Sequence, residues 1–339
     1  MSERKIKCFI NDDYEIFFDP QSGFEMMRGA NGKPDPFSLQ LPSLLDIGVM
    51  GTCVNKCAFC YQGHQNNPNM KLEDFKSIVD QVKHHTNQVA LGGRGDPNKH
   101  ENFKEIIEYA RENNVMPNYT TSGIDLTDDE IEISKMCGAV AVSDYHTPTT
   151  YEAIERFMDA GIKTNIHMIF SQGSFGDAIK ILYGRNPWEV QGYSTGRNTL
   201  VDINRLNAVI FLLFKPAGAG ENLIDMRPTE YQFGVFSSLI FNSKAKFKVG
   251  MDSCLCNHVL KKSTPTELQQ LSIDTCEGAR MSAYITPDMK LMPCSFANKG
   301  EWAISIGKKD IKEIWNNSKP FKKFRRMLRK QKDKCPLEL

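Results

Sequence analysis

The stretch "LLDIGVMGTCVNKCAFCY", Leu44 to Tyr61, decides how the rest of the chain is read. Its first half, Leu44–Met50, is a short apolar run of strand length and reads as a buried strand. The loop that follows places Cys53, Cys57 and Cys60 close together and then supplies no further cysteine until Cys137. A loop at the C-terminal end of a parallel strand is where α/β sheets place their ligands. Soft thiolates select zinc or iron–sulfur clusters over harder metals. Structural zinc wants four protein ligands, whereas a [4Fe–4S] cluster on three thiolates keeps one iron open to a small molecule.

Outward from this stretch, strand and helix patterns alternate. "LEDFKSIVDQVKHH" and "ENFKEIIEYAREN" carry apolar residues at helical spacing, and "QVALGG" between them reads as a strand. The alternation continues through "MPNYTTSG", "LTDDEIEISKMCG", "AVAVSDY", "TYEAIERFMDAG", "IKTNIHMIFS" and "DAIKILYG". An irregular polar stretch from Tyr183 to Arg205 interrupts it and is a candidate wall of the substrate pocket. Beyond it, "NAVIFLLFKPAG" has the continuous apolar run of a parallel strand covered on both faces. "TEYQFGVFSSLIFNS" then reads as a helix and "FKVGMD" as a final strand. About six βα units predict a parallel sheet with right-handed crossovers, curled into a full or partial barrel or laid out as a doubly wound sheet. Periodicity alone does not choose between these.

Upstream, "KCFIN" and "YEIFFD" read as short strands, and the Gly/Pro-rich "RGANGKPDPFS" breaks regular structure. Residues 1–45 are therefore expected to form a cap, residues 46–250 the main α/β domain and residues 251–339 a smaller module. In that module the alternation is expected to end after Cys254. "MSAYITPDMKLMPCSF" reads as a hairpin turning near Pro287 and Asp288. The basic run that follows reads as one or two amphipathic helices with Trp315, Phe321, Phe324 and Leu328 facing inward.

The 339 residues carry 42 Lys and Arg against 41 Asp and Glu, so no global charge argues for nucleic acid or a membrane surface. The N-terminal stretch is charged and lacks a signal-peptide core, and the longest apolar run, Ala208–Phe214, is too short to cross a bilayer. A soluble, cytoplasmic protein with reduced thiols is the expectation. Of its ten cysteines, Cys8 and Cys137 stand alone and read as free thiols behaving as small hydrophobes. The others fall into an early group and a late one, which suggests two sites.

Cys53-x-x-x-Cys57-x-x-Cys60, with Phe59 before the last cysteine and Tyr61 after it, resembles the signature of the radical S-adenosylmethionine (radical SAM) superfamily. The resemblance implies a partial (β/α)6 TIM-like barrel. It also implies a [4Fe–4S] cluster on Cys53, Cys57 and Cys60, whose open iron chelates the amino and carboxylate groups of SAM. One electron then cleaves the sulfonium to methionine and a 5′-deoxyadenosyl radical, which abstracts a substrate hydrogen. The protein's share of that chemistry is position and exclusion of water. "ALGGRGDP", Ala90 to Pro97, resembles the segment whose backbone meets the SAM amino group, and close backbone approach favours Gly92 and Gly93. Arg94 and Gly95 intervene before the acidic residue, leaving Asp96 as the candidate partner of the amine. "NYTTSG" resembles a further segment near SAM, with Thr121, Ser122 and Gly123 in place. Ser143 and Asp144 are candidates for the ribose, and Tyr61 joins the implied SAM contacts. Asn165 and His167 alternate with apolar neighbours on the next strand and are candidates to face the barrel interior. His64 and His146 read as solvated loop histidines.

"CEGARMSAYITPDMKLMPCSF", Cys276 to Phe296, with the "IKEIWNNSKPFKKFR" that follows, resembles the C-terminal SPASM or shorter twitch extension of many radical SAM enzymes. The implied module binds an auxiliary [4Fe–4S] cluster through Cys254, Cys276, Cys294 and Cys335, with Cys256 competing for one place. Met289 stands where such hairpins usually carry glycine. The layout implies an enzyme that modifies a peptide or protein side chain by crosslinking, oxidation or epimerisation. It would be served by a flavodoxin- or ferredoxin-type electron donor. Two alternatives stay open: a small-molecule oxidase or dehydrogenase of the same superfamily, and a non-catalytic zinc- or cluster-bearing binding protein.

Overall fold

Three antiparallel strands open the chain, β1 (Lys7–Ile10), β2 (Tyr14–Phe18) and β3 (Glu25–Gly29), in the order β1-β2-β3. Tyr14, Ile16 and Phe18 alternate inward along β2, so this small sheet buries one face. The third strand was not expected, because "EMMRG" has no apolar alternation of its own and is recruited by pairing with β2. The computed structural model describes residues 6–188, 201–270, 273, 275–297, 300–307, 309–331 and 335–337. Part of the polar stretch Tyr183–Arg205 expected to line the pocket lies outside the described residues.

The main sheet begins at β4 (Leu44–Met50), followed by α1 (Leu72–Val82), β5 (Gln88–Gly93), α2 (Phe103–Glu112) and β6 (Met116–Thr121). Then come α3 (Asp128–Ser134), β7 (Val140–Ser143), α4 (Pro148–Asp159), β8 (Thr164–Phe170), α5 (Phe175–Leu182), β9 (Ala208–Leu213), α6 (Glu230–Ile240) and β10 (Lys248–Met251). Each neighbouring pair from β4 to β10 is parallel. The reason is in the side-chain pattern. On β4, Leu45, Ile47 and Val49 are fully buried toward the helices, and α1 answers with Phe75, Ile78, Val79 and Val82 on one stripe. Burying side chains of this size stabilises by about 1.5–3 kcal/mol each. Thr127 and Glu130 close a capping box that starts α3.

The alternation does not stop at Cys254 as expected. Asp252 accepts the N–H of Leu255 at 2.8 Å and caps α7 (Ser253–Leu260), whose Leu255, Cys256 and Val259 are buried. After a short α8 (Glu267–Gln270), the hairpin strands β11 (Ser282–Ile285) and β12 (Lys290–Met292) rejoin the same sheet. β11 runs parallel beside β4, with Ser282 opposite Leu44 and Ile285 opposite Ile47. Together with β13 (Ile304–Ser305) they complete the order β10-β9-β8-β7-β6-β5-β4-β11-β12-β13. β10 and β13 are its two edges, so the sheet is an open, partial barrel.

Met289 turns the hairpin at φ 59, a left-handed conformation that costs a non-glycine residue about 1–2 kcal/mol. Thr286 offsets it by closing the turn: its hydroxyl accepts the N–H of Lys290 at 3.0 Å, and its carbonyl accepts that of Met289. The chain then forms α9 (Ile311–Asn317) and α10 (Lys319–Gln331). Trp315, Phe321, Phe324 and Leu328 are buried, and Arg325 turns inward over the Trp315 ring to donate to the carbonyls of Ala279 and Trp315. Among the described residues no helix is long and apolar enough to cross a membrane.

Candidate active site

The loop after β4 is wrapped by its own backbone. The N–H of Cys60 donates to Cys57 O at 3.1 Å, that of Gly63 to Cys60 O at 3.0 Å, and that of Ala219, arriving from the far side, to the same Cys60 carbonyl at 2.9 Å. Cys53, Cys57 and Cys60 are all free and half-buried. Burial pushes the Cys53 thiol up, the neighbouring Asp96, Cys57 and Cys60 add to it, and all three thiols line one cavity. The Cys57 thiol donates to the Tyr145 hydroxyl oxygen at 3.5 Å, and the Tyr145 ring stacks on Phe59. His64 lies against the Cys57 carbonyl at 3.0 Å and holds the loop rather than standing free.

A cavity of about 930 Å³ runs from these thiols to Cys254, Cys276, Cys294 and Cys335, so both cysteine groups share one wall. Gly92 lines it, and a Cβ there would meet nothing within 4 Å, leaving an open cradle. At Gly93, with φ +104, an added Cβ would fall 2.9 Å from Gly48 Cα, so the absence of a side chain lets β5 lie this close to β4. Asp96, Ser143, Asp144, Tyr61 and His167 also line the cavity. Asp96 is already engaged: it accepts the Ser122 N–H at 2.8 Å and the Ser122 hydroxyl at 2.5 Å. Asp144 accepts from the indole of Trp188 at 2.8 Å and from the backbone of His146 at 3.0 Å.

Three expected contacts lie elsewhere. Thr121 points to the opposite face of β6, buried, and accepts the Gly123 N–H at 3.1 Å, while Thr120 faces the cavity because side chains alternate along a strand. Ser122 turns to Asp96. Asn165 faces inward below the cavity wall and accepts from Asn207 at 2.6 Å, so His167 and Ile169 further up β8 take the cavity positions. Burial pushes His167 down to about 4, which keeps the ring neutral.

The second cysteine group is assembled from distant segments. Cys254 sits in the first turn of α7, while Cys276 and Cys294 flank the hairpin, whose ends are joined by the Ala279 N–H donating to Ser282 and Pro293 carbonyls. Burial pushes Cys254, Cys276 and Cys294 each up to about 12, and every pair among these three and Cys335 interacts electrostatically. Cys256 is also buried on the cavity wall, beside Cys254, which interacts electrostatically with the other three. Among the described residues no three His, Cys, Asp or Glu side chains close on a single-ion geometry. The donor chemistry fits clusters: Cys254, Cys276 and Cys294 resist ionising until a cationic centre binds them, Cys335 stands beside them, and soft thiolates are the ligands such centres take.

Sequence reading missed two cavity groups. Lys215, at the end of β9, is salt-bridged to Asp252; its only signal was a charge closing the apolar run "FLLF". Asp46 lies on the inward face of β4 beside Tyr284 of β11, hidden within an apparently apolar strand. Burial pushes its carboxyl up to about 6. The unfolded chain ionises Asp46 freely above about pH 4. The folded chain resists, so the penalty builds to about pH 6 and then stays. Asp46→Asn is expected to raise the unfolding free energy of the apoprotein by up to about 3 kcal/mol at about pH 8 and by little at about pH 4. Denaturant curves at both pH values check this, and an equal gain at both would assign the effect to packing.

Residues 47–144 match the model of the radical SAM superfamily, and residues 276–337 match SPASM, an iron–sulfur cluster-binding domain. No curated protein matches the chain. Among solved structures, SuiB of Streptococcus suis superimposes with TM-score 0.70 at 12% identity, over 96% of this chain and 90% of that one. SuiB bound to its precursor peptide SuiA gives 0.66 at 12% identity, over 94% and 90%. Native anSMEcpe with bound AdoMet and a Cp18Cys peptide gives 0.59 at 15% identity, over 83% and 82%. At these identities the likeness is one of fold.

Proposed function

We propose that this chain, which belongs to the radical SAM superfamily and carries a SPASM iron–sulfur domain, modifies a peptide or protein side chain held between its two cysteine groups. The observation that carries the reading is the cavity lined by both cysteine groups, roomy enough for a side chain beside SAM. The peptides seated in the SuiB and anSMEcpe structures support a peptide as the substrate class. The division into a cap at 1–45, a barrel at 46–250 and an auxiliary module at 251–339 belongs to the same proposal.

Cys53, Cys57 and Cys60 would hold the first [4Fe–4S] cluster, and Cys254, Cys276, Cys294 and Cys335 the auxiliary one. The chemistry supplied when clusters and SAM are bound is one-electron cleavage of the SAM sulfonium and hydrogen abstraction from the substrate. The chain's own groups arrange that event. The bare face of Gly92 leaves room for the methionyl end of SAM, and Ser143 and Asp144 offer polar atoms at the end of β7. Asp96, fixed by Ser122, shapes the wall between β5 and β6. The apolar wall of Ile169, Ile210 and Leu212 excludes water from the space a substrate carbon would occupy.

Anaerobically reconstituted protein with SAM, reductant and the short peptides encoded beside its gene is the test. A peptide mass lower by one pair of hydrogens, formed with 5′-deoxyadenosine, is expected for oxidation or crosslinking. Unchanged peptides alongside consumption of a small molecule would overturn the peptide assignment.

A further inference from the structure

Lys215 ends β9 with its side chain only 4% exposed. Its Nζ lies 2.5 Å from Asp252 Oδ2, hydrogen-bonds the Cys254 thiol and stands 4.2 Å from the centre of the Phe296 ring. Phe296 follows Cys294 closely in sequence and packs 4.4 Å, ring to ring, from Tyr61 beside Cys60. Asp252 is itself fixed, since its Oδ1 accepts the N–H of Leu255 at 2.8 Å and that of Leu213 at 3.3 Å. A buried ammonium is costly unless paired, and a lysine stem is flexible, so three partners, two at the start of α7 and one after the hairpin, pin this charge at one spot. The Asp252 carboxylate beside it keeps the buried ammonium paired and charged.

We infer that Lys215, clamped by Asp252, sets the reduction potential of the auxiliary cluster. The inference rests on the two-cluster reading above. Cluster potentials depend on net charge, hydrogen bonds to the sulfurs and burial, and Lys215 supplies the first two in a buried place. A fixed positive charge beside a coordinating sulfur stabilises the reduced state, which carries one more negative charge. Asp252 holds Lys215 in place, and its own carboxylate opposes the effect. Removing either partner therefore moves the potential in opposite directions, which a packing defect would not do.

Full-length protein, reconstituted anaerobically, is titrated with mediators while both clusters are followed by EPR. Lys215→Met is expected to lower the potential of the auxiliary cluster and leave that of the first cluster in place, Lys215→Arg to stay near wild type, and Asp252→Asn to raise it. An unchanged auxiliary potential in Lys215→Met at full iron content overturns the inference, as does a shift of the same sign in both single-charge variants. If Lys215→Met does not hold the auxiliary cluster, Asp252→Asn decides alone, and no rise there overturns it. Wild-type protein binding about four irons rather than about eight would instead sink the two-cluster reading.

Discussion

Replacing Cys57 with alanine is expected to abolish SAM cleavage while leaving the apoprotein folded. Three thiols on one loop are the minimum that holds a cluster with one open iron, and two cannot replace the lost sulfur from neighbouring segments. Cys57 is only half-buried, so its loss removes little apolar packing. It does remove the thiol that donates to the Tyr145 hydroxyl oxygen, which would then turn to water or SAM. Iron content should fall by about half, with the auxiliary signal retained. 5′-Deoxyadenosine should be undetectable, and thermal unfolding of the apoprotein should be nearly unchanged. Full SAM cleavage in this variant would remove the loop from the cofactor site.

Gly218→Ala carries the second large effect, although the residue lies far along the chain. At φ +59 its backbone rests on the cysteine loop, and an added Cβ would fall 2.3 Å from the Tyr61 carbonyl oxygen and 2.6 Å from that of Cys60. Both obstacles are backbone, so the loop itself must move. The Ala219 N–H that caps the Cys60 carbonyl moves with it. Left-handed alanine alone costs about 1–2 kcal/mol, and the overlap adds to that. We expect loss of most first-cluster occupancy, read by EPR, and destabilisation of about 2 kcal/mol or more. Gly220→Ala, whose Cβ would sit 3.2 Å from Phe59 Cα, should be milder. Gly63→Ala, also at positive φ but with nothing within 4 Å, separates strain from displacement. Cluster loss of equal size in Gly63→Ala would mean that backbone strain, and not contact, is responsible.

Much of this architecture was readable because its signals are local. Cys53, Cys57 and Cys60 sit on one loop, and the stripe Phe75, Ile78, Val79, Val82 declares a helix within a single segment. Asp46 and Gly218 were not readable. One is a single polar residue inside a strand that looked apolar, and the other needs only the absence of a side chain. The resemblance carried by "NYTTSG" points to Thr121, whereas Thr120 faces the cavity. Register depends on which neighbours a strand pairs with, and that is not written in the strand.

By itself the sequence determined the alternating α/β character, the three-thiol loop after its first barrel strand and a second cysteine group around a hairpin, all through short-range spacing. Only the tertiary structure decided that β11 joins the sheet beside β4, that both thiol groups face one cavity, and that Lys215 is held between Asp252 and Cys254. Those outcomes arise from contacts between remote segments, where the burial of whole faces and the pairing of buried charges select a partner that no local pattern names.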